Sequence, residues 1–161
     1  MIIPINLGAD SYDIVLERGA LKKVGELFKV KGKVLVVTDS GVPKEYAETV
    51  ASQFKESYIY TFLQGEQSKN FDTYKAICEK LLEYSFTRKD AVIAVGGGVT
   101  GDMSGFAAAT YMRGIDFYNI PTTLLSQIDS SIGGKVAVNL DPFGHTRGLV
   151  QIMKKSGYEG Y

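Results

Sequence analysis

Val95-Gly96-Gly97-Gly98-Val99-Thr100-Gly101-Asp102 is the stretch on which the reading of this chain turns. It follows an apolar run that begins at Ala91 and leads into an Ala-rich segment ending near Arg113. Three consecutive glycines after a buried strand place bare backbone N–H groups at the start of a helix, where the positive end of the helix dipole adds to them. Two readings stay open from these eight residues: an anion site, or a tight strand-to-helix turn that holds nothing.

Composition limits what that stretch can serve. A chain of 161 residues, 45% apolar and 22% charged, can bury a real core and reads as one globular domain rather than a disordered segment. Basic and acidic residues balance at 18 each, so no overall field draws the chain to nucleic acid or to an anionic membrane. Any anion site must be built locally. No stretch approaches the roughly 20 apolar residues that span a bilayer, and Met1-Ile2-Ile3-Pro4 does not read as a signal peptide. The single cysteine, Cys78, excludes an internal disulfide and suits a reducing compartment, so a cytoplasmic location is expected.

Upstream of the glycines, residues 2–6 and 11–16 are β-rich around Gly8-Ala9-Asp10, which predicts an N-terminal hairpin. Ala20, Leu21, Val24, Leu27 and Phe28 recur at helical spacing up to Lys31-Gly32. The run from Lys33 to Val37 predicts a strand buried on both faces, closed by Thr38-Asp39-Ser40-Gly41. Pro43 fits the first position of a helix whose inward stripe is Tyr46, Ala47, Val50, Ala51 and Phe54. Ser57 to Leu63 reads as a strand, followed by the polar loop Gln64-Gly65-Glu66-Gln67-Ser68-Lys69. Asn70 can cap the next helix, which carries Phe71, Tyr74, Ile77, Cys78, Leu81 and Leu82 on one stripe and so makes Cys78 a core residue. Asp90 leads into the strand before the glycines.

Downstream, Asp116 to Ile120 predicts a strand, and Pro121-Thr122-Thr123 turns into a short helix through Leu125 and Ile128. Gly133-Gly134-Lys135 opens a last strand, Val136 to Leu140. Strands alternating with helices imply right-handed crossovers and a mostly parallel sheet flanked by helices, an α/β Rossmann-like domain.

Ligands of such sheets bind beyond the carboxyl ends of the strands. That singles out Asp39, Glu66 with Lys69, the glycine loop with Asp102, and Thr122-Thr123. An acid just past a strand can accept ribose hydroxyls or simply close a turn; Glu66 and Lys69, taken alone, read first as solvated loop charges. In the common dinucleotide fingerprint the glycine loop comes first and the ribose acid about 20 residues later. Here Asp39 precedes the glycines, and Gly97 to Asp102 does not match G-x-G-x-x-G. An ordinary two-domain dehydrogenase is disfavoured. In Asp129-Ser130-Ser131-Ile132-Gly133-Gly134-Lys135, glycines allow close backbone approach and the lysine offers a compact cation, with a surface turn as the alternative. Arg113 can either cap a helix against its dipole or serve an anion.

Four blocks together are similar to the 3-dehydroquinate synthase family: Gly96 to Asp102, Ala108-Ala109-Thr110-Tyr111-Met112-Arg113-Gly114, Ile120-Pro121-Thr122-Thr123-Leu124-Leu125-Ser126-Gln127, and Asp129 to Lys135 with Asn139. Gln64 to Lys69 resembles the family's earlier cofactor loop. The resemblance covers residues 1–144 and implies an NAD-binding domain over that span. The implied reaction oxidises a seven-carbon keto acid phosphate transiently with bound NAD, releases phosphate, re-reduces the product and closes it to a carbocycle, on the shikimate route. By the same resemblance Asp39, Glu66, Lys69, Gly97, Gly98, Val99, Thr100, Gly101, Asp102, Thr122, Thr123 and Ser130 line the NAD site. Asp129 and Lys135 face a sugar phosphate substrate, with Lys135 on its phosphate, and Arg113 reaches a phosphate across a homodimer interface. Related sugar-phosphate cyclases such as 2-deoxy-scyllo-inosose synthase share much of this pattern; glycerol dehydrogenases share only the glycine loop and its Asp.

The chain also departs from that family. Gly41 stands where an Asn is usual, and Gly144-His145-Thr146 where Gly-Lys-Asn is usual. Residues 145–161 read as a tail outside the pattern, with His145 the only histidine. The family's second, helical domain, which supplies a Glu and two His to a divalent metal (zinc or cobalt), has no counterpart here. No metal ligands are therefore expected in this chain. It is expected to be an isolated or truncated N-terminal domain without turnover.

Overall fold

The computed structural model describes residues 1–6 and 11–130, with only the backbone of Asp129 and Ser130. The expectations for Lys135, for a strand at 136–140 and for a boundary at Gly144 lie outside the described residues. So do the roles given to the Asp129 and Ser130 side chains.

Two apolar runs organise the fold. β3 (Val34–Asp39) and β5 (Ala91–Gly96) are buried along almost their whole length. Strands apolar on both faces need a layer on each side, and these two form the centre of a four-stranded parallel sheet of order β4-β3-β5-β6. β4 (Ser57–Phe62) and β6 (Asp116–Pro121) are its edges. Leu35, Val37 and Val92 pack under α3 (Phe71–Glu83) and α4 (Gly98–Thr110), which contribute Ile77, Leu81, Met103, Ala107 and Ala108. Val34, Val36, Ile93 and Val95 pack on the other face against Val24 of α1 (Val24–Leu27) and Ala47, Val50 and Ala51 of α2 (Lys44–Ala51). The expected N-terminal hairpin is present as β1 (Ile2–Ile5) paired antiparallel with β2 (Tyr12–Val15), a sheet of its own.

The helix expected over residues 20–28 is broken into a 3₁₀ turn, Ala20–Lys23, and the short α1. The cause is Gln53. A continuous helix would pair the Gly25 N–H with the Leu21 carbonyl; instead Gln53 Oε1 accepts from Gly25 N at 3.0 Å and Gln53 Nε2 donates to Leu21 O at 2.8 Å. The carboxamide is inserted into the helical ladder.

Three side chains assigned to inward stripes are exposed: Tyr46, Phe71 and Leu82. Tyr46 and Leu82 each stand one residue, about 100° of helical turn, from the buried Ala47 and Leu81. Phe71 occupies the first position of α3, ahead of the turn that meets the sheet. Leu63 also lies outside, one residue beyond β4. Cys78 is half-buried on the edge of the core, and burial pushes its thiol pKa up. Asn70 caps α3 as expected, its side chain accepting from Thr73 N at 2.9 Å. The short helix after β6 takes a π-helical form over Ser126–Ser130, with Leu124, Leu125 and Ile128 exposed.

Candidate functional site

The strand order fixes where a ligand can enter. From β3 the chain steps outward to β4 and then crosses back over β3 to β5. The loops after β3 and β5 therefore diverge, and the crevice between their carboxyl ends is the switch point of the sheet. Asp39 and the glycine loop flank that crevice.

Asp39 closes β3 with both carboxylate oxygens engaged. Oδ1 accepts from Gly41 N at 2.9 Å and Oδ2 accepts from Thr100 Oγ1 at 2.6 Å. Thr100 is fully buried in the first turn of α4. The same edge is tied from below by Thr38 Oγ1, which donates to Val95 O at 2.8 Å.

The three glycines meet three different surroundings. A Cβ on Gly96 would stand 2.5 Å from the Thr100 hydroxyl, so a side chain there would dislodge the group that holds Asp39. One on Gly97 would touch Thr123 Cγ2 at 3.4 Å, while one on Gly98 would meet nothing within 4 Å. Gly98 opens α4, and Gly101 N bonds to Gly97 O at 3.0 Å. The amides of Gly98, Val99 and Thr100 thus precede the first helical hydrogen bond and stand at the positive end of the dipole. An open cradle for an anion results.

Beyond β4, Glu66–Ser68 forms a 3₁₀ turn that brings Lys69 to α4. Lys69 Nζ lies 2.7 Å from Asp102 Oδ2 and 3.8 Å from Glu66 Oε1. The hydrogen bond to Asp102 holds the Lys69 ammonium pKa above its ordinary value. A shallow groove lined by Ser40, Phe62, Gln67 and Asn70 runs along β4 beside this loop.

After β6, Thr122 N donates to Gly96 O at 2.9 Å, which fastens this loop to the glycines. The Thr123 hydroxyl engages Ser126 Oγ at 2.9 Å and caps the segment that follows. Asp39, Glu66, Lys69, residues 97–102, Thr122 and Thr123 are thus all brought to one edge of the sheet. Arg113 is not. It follows α4, whose 13 residues carry the chain roughly 20 Å toward the opposite edge, where β6 begins.

Gln64, at the head of the loop that resembles a cofactor loop, lays its side chain over Gly41 beside Asp39. Sequence reasoning missed the bond between Thr100 and Asp39, since periodicity carries no signal for a pairing of residues 61 positions apart. Among the described residues no three or more His, Cys, Asp or Glu side chains could hold a metal ion. No helix among them is long and apolar enough to cross a membrane.

The pattern of the 3-dehydroquinate synthase N-terminal family matches residues 59–149. The chain is 47% identical over 149 residues to the 3-dehydroquinate synthase of Clostridium kluyveri, covering 88% of this chain and 41% of that protein. It spans about two fifths of the length of the curated relatives it matches. Among solved structures, 2-deoxy-scyllo-inosose synthase superposes with a TM-score of 0.79 at 29% identity, over 88% of this chain and 42% of that one. Its complex with carbaglucose-6-phosphate, NAD+ and Co2+ gives a TM-score of 0.75 at 28% identity, over 81% and 37%. With its parallel sheet, its glycine cradle and this match over more than half its length, the chain belongs to the 3-dehydroquinate synthase family.

Proposed function

We propose that this chain is the NAD-binding part of a 3-dehydroquinate synthase. The whole enzyme would convert 3-deoxy-D-arabino-heptulosonate 7-phosphate to 3-dehydroquinate and phosphate, a cytoplasmic step on the shikimate route to aromatic amino acids. The observation that carries the reading is the meeting of Asp39 and Thr100 at the switch point, beside a helix start left open at Gly98.

The residues present fit a dinucleotide. Each Asp39 oxygen has one protein donor, which leaves lone pairs for ribose hydroxyls. The Gly98, Val99 and Thr100 amides, with the α4 dipole, suit a pyrophosphate, and the space that a side chain at Gly98 would fill is the room it needs. Lys69 and Glu66 hold the rim through Asp102. Thr122, Thr123 and Ser130 are assigned to the same cofactor. When bound, NAD supplies a reversible hydride acceptor.

Asp129 and Lys135 are assigned to the sugar phosphate substrate, with Lys135 on its phosphate. Arg113, at the far edge of the sheet, cannot join its own chain's cradle; it is assigned to the site of a second subunit in a homodimer. The described residues offer no ligand set for the metal, zinc or cobalt, of the whole enzyme, so no step through a metal is assigned to them. The 161-residue chain is expected to bind NAD without turning substrate over.

Calorimetric titration with NAD tests the reading: saturation at one site per chain is expected, and a titration without saturation overturns it. Phosphate release from the keto acid phosphate, in the presence of NAD and zinc, should stay at background; multiple turnovers by the pure chain would overturn that part. A second reading, a related cyclase acting on a sugar phosphate, draws on the backbone similarity to 2-deoxy-scyllo-inosose synthase. The 47% identity to a 3-dehydroquinate synthase, against 29%, favours the first.

A further inference from the structure

The N-terminal hairpin is a sheet of its own, and among the described residues none of its side chains joins the core on either face of the main sheet. Two short strands alone are at best marginally stable in water, and Ile2, Ile3 and Leu16 are exposed. The register shows which edge of this hairpin is open. Met1 and Leu16 exchange two hydrogen bonds, each nitrogen lying 2.9 Å from the other residue's carbonyl oxygen. In an antiparallel ladder such pairs alternate with pairs whose N–H and C=O groups point outward. Ile3 with Ile14 and Ile5 with Tyr12 are therefore bonded inward, while Ile2 with Val15 and Pro4 with Asp13 face outward. On the β1 side Pro4 has no N–H to offer, which spoils that edge as a template. On the β2 side Asp13 and Val15 each present a donor and an acceptor, and among the described residues neither is bonded outside the ladder. By strand alternation, Ile3, Ile5, Tyr12 and Ile14 share one apolar face with Met1 and Leu16.

We infer that β2 is the seam between two copies of this chain. Two β2 strands pair antiparallel about a two-fold axis at Ile14, giving a four-stranded sheet in the order β1-β2-β2-β1. Asp13 of each copy exchanges two hydrogen bonds with Val15 of the other, so every open group of the edge is satisfied. Ile14 meets its own counterpart in a non-hydrogen-bonded pair, where side chains approach most closely. The apolar face then runs unbroken through both copies. Asp13 stands opposite Val15, so the two acids are not opposed, and a net charge of zero leaves no overall repulsion between the copies. The contact closes on itself, because β2 is used up and the outer edge of β1 carries Pro4. This gives a seam to the homodimer proposed above; it rests on that dimer and not on NAD binding.

Sedimentation equilibrium on the full 161-residue chain, with amide exchange followed by NMR at rising concentration, tests this. A monomer–dimer equilibrium with a Kd of about 10–100 μM is expected, weak because so short a seam falls below the size of a stable interface. Exchange at the Asp13 and Val15 amides should slow about tenfold between largely monomeric and largely dimeric solutions. The Ile2 amide, on the blocked edge, should not respond. Val15→Pro removes an outward donor without touching the bonds between β1 and β2, and should weaken dimerisation at least about tenfold. Val15→Asp leaves the backbone intact, which covers the case in which proline unravels the hairpin. It sets two acids opposite Asp13 across the seam and should weaken the dimer about fivefold, and adding Asp13→Lys should restore it. A parent chain that stays monomeric overturns the inference and, for this chain, the dimer on which it rests. A dimer that survives Val15→Pro, protection of Ile2 equal to that of Val15, a double variant no tighter than Val15→Asp, or assembly beyond two copies overturns the seam and leaves self-association standing.

Discussion

Thr100 Oγ1 donates to Asp39 Oδ2 at 2.6 Å, joining the first turn of α4 to the end of β3 across 61 residues of sequence. The donor is fully buried and the acceptor is partly exposed. One hydroxyl thus aligns the acid of the crevice with the helix start that forms its cradle. Replacing it by the isosteric Thr100→Val keeps the packing and removes the donor. A stability loss of about 1–2 kcal/mol is expected, the range for a hydrogen bond to a charged group that water can partly replace. NAD affinity should fall about fivefold. Thr100→Ser should restore both; urea melts and calorimetry read the two effects.

Gly96 and Gly98 are neighbours in the same loop but should respond in opposite ways to alanine. At Gly96 the new methyl meets the buried Thr100 side chain at 2.5 Å, an overpacking expected to cost about 1–3 kcal/mol. At Gly98 it meets nothing within 4 Å, and the helix gains up to about 1 kcal/mol from the lost glycine entropy. Gly98→Ala should therefore melt at or above the parent temperature yet bind NAD at least tenfold more weakly. Binding at parental affinity would show that the space at Gly98 takes no part in holding NAD.

Gln53 substitutes for a helical hydrogen bond, so its loss should expose the cost of that substitution. Gln53→Leu keeps the stem but leaves the Gly25 N–H and the Leu21 carbonyl without the carboxamide. A loss of about 1–3 kcal/mol is expected. It should be accompanied by faster amide exchange at Gly25, measured by NMR. An unchanged exchange rate at that amide would show that the ladder closes by itself.

Asp90 is expected to make the stability of the domain depend on pH in acid. Burial pushes its carboxyl pKa up, but hydrogen bonds from Thr87 N, Lys33 N and Thr87 Oγ1 together outweigh burial and hold it below its ordinary 3.8. A carboxylate with a depressed folded pKa stabilises fully above its unfolded value and loses that contribution as pH falls through the folded one. Stability should therefore be flat in this respect above about pH 4 and drop on acidification below 3.8. Asp90→Asn should lower stability at neutral pH and flatten the acid limb of a urea-melt series.

Much of this architecture is readable from local pattern. The continuous apolar runs of β3 and β5 announce strands that need cover on both faces, and both are central in the sheet. Asn70 announces its helix because a cap acts within three residues. What escapes is whatever two distant segments decide together. Lys69 meets Asp102 across 33 residues, and Lys69 taken alone reads as a solvated loop charge. Gln53 breaks the helix at 20–28 from outside it, so no periodicity within the helix records the break. Tyr46 and Leu82 satisfy a helical stripe drawn broadly, yet the sheet contacts only the narrower arc marked by Ala47 and Leu81.

One corner of the backbone is held in a conformation that side chains resist. Met112 and Arg113 have φ of 51° and 68°, the left-handed region, and Gly114 follows at 108°. Arg88 Nε donates to Met112 O at 3.1 Å, and Tyr111 OH donates to Phe86 O at 3.0 Å, bracing the corner from two sides. Left-handed backbone costs about 1–2 kcal/mol per non-glycine residue. The direction in which Arg113 leaves the chain is thereby a property of the folded main chain. An anion or a second protein surface arriving at this edge would meet an arginine whose Cα–Cβ direction is already set, with the side-chain torsions left to be ordered on contact. Relaxing the corner with glycine at Met112 would make the domain more stable and Arg113 less directed, so stability and aim are opposed at this position.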